Sequence, residues 1–217
     1  MKKILYILLS IALFFNLSVT AYARDFISLT EQEKESYMES LTKQVIRDLG
    51  LTDREIRIEF YNAPEWYEVA SNTALVNTKW DTIRYNMAYF NTTEEADIRG
   101  ETMEHFVRNI VAHEVRHSYQ LVHMNDPTPY GEAVKVDKYN NTFEFLESDS
   151  KAYGTLYADG AIIYTANDGM IFDPSFYAET YSDVKAVYGT DPNKLLNHYN
   201  TYGIFEHRKP NKYVRDN

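Results

Sequence analysis

Apolar positions recur at helical spacing over residues 30–49, at strand spacing over 54–61 and 81–90, and at helical spacing again from 101. In the first stretch Leu41, Val45 and Leu49 form one stripe, Thr30 with Glu33 makes a capping box, and Gly50 supplies the stop. Ile56, Ile58 and Phe60 alternate with charged neighbours, as do Ile83, Tyr85, Met87 and Tyr89 with theirs, so both stretches predict strands. Residues 101–124 predict a long helix with Met103, Phe106, Val107, Ile110 and Val111 on its core side, ended by Asn125-Asp126-Pro127. A loop is expected to Asn141, then another helix over 142–164.

The long helix carries chemistry. Residues 110–121 read IVAHEVRHSYQL, with two histidines four apart and a glutamate beside the first. Residues i and i+4 share a helix face, so His113 and His117 can hold one zinc ion while Glu114 reaches a water on it. The alternative is a helix with scattered polar residues. The surrounding run is apolar, however, and imidazoles and a carboxylate without a common partner are costly to bury there. A catalytic zinc takes a third protein ligand and leaves a position for water. With no cysteine in the chain, that ligand must be His, Asp or Glu. The downstream helix offers Glu144, Glu147 and Asp149.

With HExxH at 113–117 and Glu147-Ser148-Asp149-Ser150 on the next helix, the chain resembles the gluzincin branch of the zincin metallopeptidases over about Thr30 to Tyr164. The resemblance implies that Glu147 is the third ligand and that Ser150 is small where the two helices meet. Asp149 is then an orienting residue behind the ligands or a salt-bridge partner, against its simpler reading as a solvated helix-face carboxylate. Glu144 reads as a surface residue. SYQLVHMNDP follows His117, so the H-x-x-G-x-x-H extension of the metzincins is absent. The implied fold is α+β and zincin-like, a small sheet packed on the two zinc-site helices. The strand around TIRYNMAYF takes the place of the edge strand that pairs with an extended substrate.

The implied activity is peptide-bond hydrolysis by a water bound to one Zn2+ per chain, with Glu114 as general base. The oxyanion donor has no unique candidate. Tyr119, Tyr130, Tyr153 and Tyr157 are near in sequence, and each suits core or rim as well. His105 and His123 read as structural or solvated, and Arg116 as a salt-bridge residue.

Residues 1–23 have a two-lysine start, an apolar stretch from Ile4 to Phe15 and an Ala21-Tyr22-Ala23 ending, the pattern of a signal peptide cleaved after Ala23. The stretch is well short of the roughly 20 residues of a membrane span, and no later segment is apolar enough for one. An exported chain without cysteine fits bacterial export, to a secreted or extracytoplasmic location. Cleavage removes Lys2 and Lys3, moving the formal charge from −10 to −12 and making nucleic acid a poor partner.

The composition changes at TANDGM, residues 165–170. Beyond it, residues 172–208 resemble a short module of bacterial exported proteins. Phe172, Asp173, Tyr177, Asp183, Val184, His198, Tyr199, Gly203, Glu206 and Arg208 match its pattern, with Ser182 at a usual proline and His207 at a usual glycine. About three short helices around an aromatic core are expected. The chain thus divides into a leader (1–23), a zincin-like metallopeptidase domain (24–167) and a small helical accessory module (168–217). Its expected partner is a peptide or protein substrate, with an envelope component as a second partner for the tail. The alternative is an envelope-binding or adhesive protein whose zinc site is structural or inactive; Glu114 favours the enzyme, because a structural site needs no carboxylate beside its ligand.

Overall fold

Thr30 accepts a hydrogen bond from the Glu33 amide while the Glu33 carboxylate takes the Thr30 amide, so the chain enters helix α1 (Glu31–Asp48) through the expected capping box. The structure, a computed structural model, describes residues 25–74 and 80–214; the leader expected over 1–23 lies outside them. Met38, Leu41 and Val45 form the buried stripe of α1.

Three strands follow: β1 (Glu55–Tyr61), β2 (Ala70–Asn72) and β3 (Trp80–Asn86). Their order is β1-β3-β2, with β1 parallel to β3 and β2 antiparallel to it. Ile83 and Tyr85 are fully buried on the inward face of β3. Two expectations are corrected here. The TIRYNMAYF strand is central, and the edge beside it is β2, three residues too few to show a period. The strand also ends at Asn86, because the Asn86 side chain accepts the Ala88 amide and starts a helical turn, α2 (Met87–Phe90). Met87 and Phe90 are buried from that turn.

After α3 (Glu94–Arg99) comes the long α4 (Met103–His123), capped by Thr102. The segment expected to be a loop is mostly helix α5 (Pro129–Asn140), with Thr128 as N-cap and Pro129 in the first turn. The helix expected over 142–164 is shorter, α6 (Glu144–Ala158), and gives way to strand β4 (Tyr164–Thr165). Helices α4 and α6 pack closely at Gly154, where a Cβ would come within 2.6 Å of the Asn109 carbonyl oxygen.

β4 pairs with β5 (Ile171–Phe172), and three short helices follow: α7 (Pro174–Thr180), α8 (Ser182–Tyr188) and α9 (Pro192–His198), running into a π turn over Tyr199–Gly203. Successive strand side chains face opposite ways. Ile171 accordingly joins the main core, while Phe172 joins a second cluster with Tyr177, Val184, Leu195 and Tyr199. The molecule is α+β, and among the described residues no helix is long and apolar enough to cross a membrane.

Candidate metal centre

His113, Glu114 and His117 lie in the middle of α4, and Glu147 lies in the first turn of α6. The helices bring one ligand atom each from His113, His117 and Glu147 within 4.8 Å of one another, a group that could hold a metal ion. The two Nε2 atoms are 3.2 Å apart, and the Glu147 oxygens lie 3.5 Å from each.

Gln120 and Ser150 stand behind His117. Gln120 is buried, its amide nitrogen facing the Leu146 carbonyl (2.8 Å), Asp149 (3.0 Å) and Ser150 Oγ (3.1 Å), with its oxygen toward the ring. His117 Nδ1 lies 2.9 Å from Gln120 Oε1 and 3.2 Å from Ser150 Oγ; with the proton on Nδ1, the lone pair is on Nε2, facing His113 and Glu147. Burial and the His113 ring both lower the His117 pKa, keeping the imidazole neutral. The neighbouring His113 imidazole holds the Glu147 carboxyl below its ordinary range despite partial burial. Metal ligands must be deprotonated, so a neutral imidazole and an ionised carboxylate converging on one point fit a divalent cation.

Glu114 has a different environment. It is 7 % exposed, and burial pushes its carboxyl up to about 7, with the His113 ring opposing and Glu147 and Glu68 adding to the rise. A cleft of about 370 Å³ opens over these residues, bordered by Ala70, Ser71 and Asn72 of β2. Asn72 fixes that border to α4, its amide donating to the Glu114 carbonyl at 2.6 Å and to Ser118 Oγ at 2.9 Å.

Asp149 follows Glu147 by two residues on α6 and so faces the other side of the helix from the His113–His117–Glu147 cluster. Its carboxylate accepts from Arg116 Nε (2.8 Å) and Nη2 (3.1 Å), from Tyr130 OH (2.9 Å) and from Gln120. It is thus both a salt-bridge partner and, through Gln120, a support for His117. Arg116 is buried in this pair, its guanidinium over the rings of Tyr119, Tyr130 and Tyr153. Three of the four tyrosines near the motif therefore serve this packing, and Tyr157 bonds Asp48. Ser150 is buried where the helices meet, and Glu144 is exposed.

The other motif-helix histidines lie away from the centre. His105 contacts Glu101 and Asp159, and His123 contacts Asp126. Sequence reasoning missed Gln120 and Asn72. The three-residue offset of Gln120 from His117 was available as a signal for the first; for Asn72, on a three-residue strand, no local signal exists. Among known proteins, no family model, no curated protein and no solved structure matches the chain.

Proposed function

We propose that the chain is an exported zinc-dependent metallopeptidase. The observation that carries this reading is the convergence of His113, His117 and Glu147 beside a buried glutamate whose pKa lies near neutrality. The three side chains would hold the ion, and zinc supplies a Lewis acid that polarises a carbonyl and acidifies a water. Glu114 takes the proton of the attacking water and passes it to the leaving amine. A carboxyl raised to about 7 suits both halves of that transfer, since it exchanges a proton readily near neutral pH. Gln120 keeps the His117 lone pair aimed at the site. β2, the edge strand along the cleft among the described residues, offers its outer backbone groups to an extended peptide.

A carboxylate buried beside the ligands also favours the enzyme over a structural or idle zinc site in an envelope-binding protein, where its burial would serve nothing. Metal analysis of protein from zinc-containing medium, with a peptide-library digest, tests the reading. About one zinc per chain and chelator-sensitive cleavage are expected. Glu114→Gln should keep the metal and lose most hydrolysis, because an amide does not accept the proton. Metal-free protein, or unchanged turnover in that variant, overturns it.

A further inference from the structure

Two hydrogen bonds decide which way β2 turns its backbone. The Thr73 amide donates to the Thr82 carbonyl and the Asn86 amide to the Val69 carbonyl, both at 2.9 Å. Successive residues of an antiparallel strand alternately bond to the partner strand and point away from it. In the β2–β3 register, Val69, Ser71 and Thr73 therefore bond to β3, and the N–H and C=O groups of Ala70 and Asn72 point away from it. Both residues line the cleft that holds His113, Glu114 and His117.

The Asn72 side chain takes a different direction. Asn72 stands opposite the buried Ile83, so its side chain shares the inward face and reaches α4. Its amide donates to the Glu114 carbonyl at 2.6 Å and to Ser118 Oγ at 2.9 Å, while its oxygen accepts the Ala74 amide at 2.7 Å. A carbonyl only accepts and a backbone N–H only donates, so these partners identify which end of the side chain is nitrogen. Every polar atom of the side chain is engaged. One residue thus joins an outward-facing backbone position of the edge strand to the main chain of Glu114.

We propose that Asn72 is a positioning residue that sets the register of an edge-bound peptide against Glu114. Its N–H and C=O hold the peptide backbone, and its side chain holds the turn of α4 that bears the Glu114 carboxyl. The spacing between the bound carbonyl and the base is therefore set across a single residue. A slip of one residue along a strand is about 3.3 Å, and a misplacement of about 1 Å is enough to cost 100-fold in rate. A clamp at this point decides which bond is cut. The inference rests on the peptidase reading of the site.

Asn72→Asp keeps the shape of the side chain and removes its donors, and Asn72→Ala removes both. On one peptide that the wild type cuts at a single bond, each variant should lower kcat roughly 10- to 100-fold with KM little changed, because the edge backbone is still present. Mass spectrometry of the products should then find cuts at neighbouring bonds, while zinc content holds. A second measurement needs no turnover. In Glu114→Gln protein carrying the uncleaved peptide, hydrogen exchange should slow at the Ala70 and Asn72 amides and stay unchanged at Ser71, which is already bonded to β3. Wild-type kcat and a single cut in both variants, a loss of kcat matched by loss of zinc or of folded protein, or no slowing at Ala70 and Asn72 overturns the proposal. A zinc-loaded wild type that cleaves no peptide overturns the peptidase reading and this register with it, whereas an active wild type with active, single-cutting variants overturns the register alone.

Discussion

Arg116 and Asp149 form a buried two-point ion pair across the helices that carry His113, His117 and Glu147, Nε to Oδ2 at 2.8 Å and Nη2 to Oδ1 at 3.1 Å. Removing one partner strands the other's charge in the interior, which costs about 3–5 kcal/mol. Asp149→Ala should therefore lose that much stability by denaturant unfolding, a larger effect than Glu147→Ala, whose exposed carboxylate faces two imidazoles rather than a buried guanidinium. The double replacement Arg116→Met with Asp149→Leu should recover most of the loss. If Asp149→Ala unfolds at the wild-type midpoint, the pair contributes nothing and the α4–α6 interface is held by apolar packing alone.

Gln120 separates metal affinity from stability. Its oxygen faces His117 Nδ1 and its nitrogen bridges to α6. Gln120→Leu should weaken zinc roughly 10- to 100-fold, the usual cost of losing a group behind a ligand. Gln120→Glu keeps an acceptor for His117 Nδ1–H but loses the donors, so it should retain zinc and melt lower. Competition titration against a chelator, with melting curves on both variants, checks the split.

How far the sequence carried this centre depended on how local each signal is. The capping box at Thr30, the i, i+4 histidines and the apolar face of α4 are all contained within a few turns, and each is legible. The third ligand came from a resemblance, because Glu147 reaches the histidines only through the crossing of α4 and α6. That crossing depends on Gly154 and on a buried ion pair spanning 33 residues. α5 stands where a loop is expected because Pro127 signals a stop, yet two residues on Pro129 follows the N-cap Thr128, where proline starts a helix. The alternation predicts a strand to residue 90 because Met87 keeps the period of Ile83 and Tyr85, while the Asn86 side chain has already turned the chain.

His207 has φ 55°, a left-handed conformation that favours glycine. Ser182 is the first residue of α8, a position that favours proline. His207→Gly should relieve a left-handed strain of about 1–2 kcal/mol against about 0.4–1 kcal/mol for the freer unfolded chain, a small net stabilisation of the tail. A melting temperature unchanged or lowered by this replacement would mean that the histidine ring makes compensating contacts.

Two histidines should give opposite pH signatures. The buried environment of His105 pulls its pKa down, but Asp159 and Glu101 outweigh it and leave it raised. The unfolded state then binds fewer protons near neutrality. The His105 contribution is complete below the unfolded value of about 6.5 and is lost as pH rises through the folded one. His198, beside Tyr177 OH at 3.0 Å, is lowered by burial and by Arg208 against Glu206 and Asp183. Its contribution is complete above about 6.5 and is lost as pH falls through the folded value. Melting curves across about pH 5 to 8 should show His105→Gln destabilising most on the acid side. His198→Asn should flatten the acid decline of the wild type.

The tail is expected to be an accessory module, and the structure shows what a cut at Asn167 would remove. Asp168 sits at the joint: its carbonyl accepts the Tyr130 amide at 3.0 Å, and its carboxylate accepts Tyr199 OH at 2.8 Å. Ile171 is buried in the main core, Asn211 donates to the Ile171 carbonyl at 2.8 Å, and Tyr213 packs against the same core. His113, His117 and Glu147 all precede the cut, so under the proposed reading a chain ending at Asn167 should keep the zinc affinity of the full chain. It should nevertheless melt lower, since burial of Ile171 alone contributes roughly 1.5–3 kcal/mol. At about 2–4 °C per kcal/mol, that is a fall of roughly 3–12 °C. Ile171→Ala in the full chain should reproduce a good part of the fall while leaving α7 to α9 in place. An unchanged melting temperature in the truncated chain would show that Ile171 and Tyr213 add nothing to the main core, and a metal-free product would show that α5 and α6 hold their positions only with the tail attached.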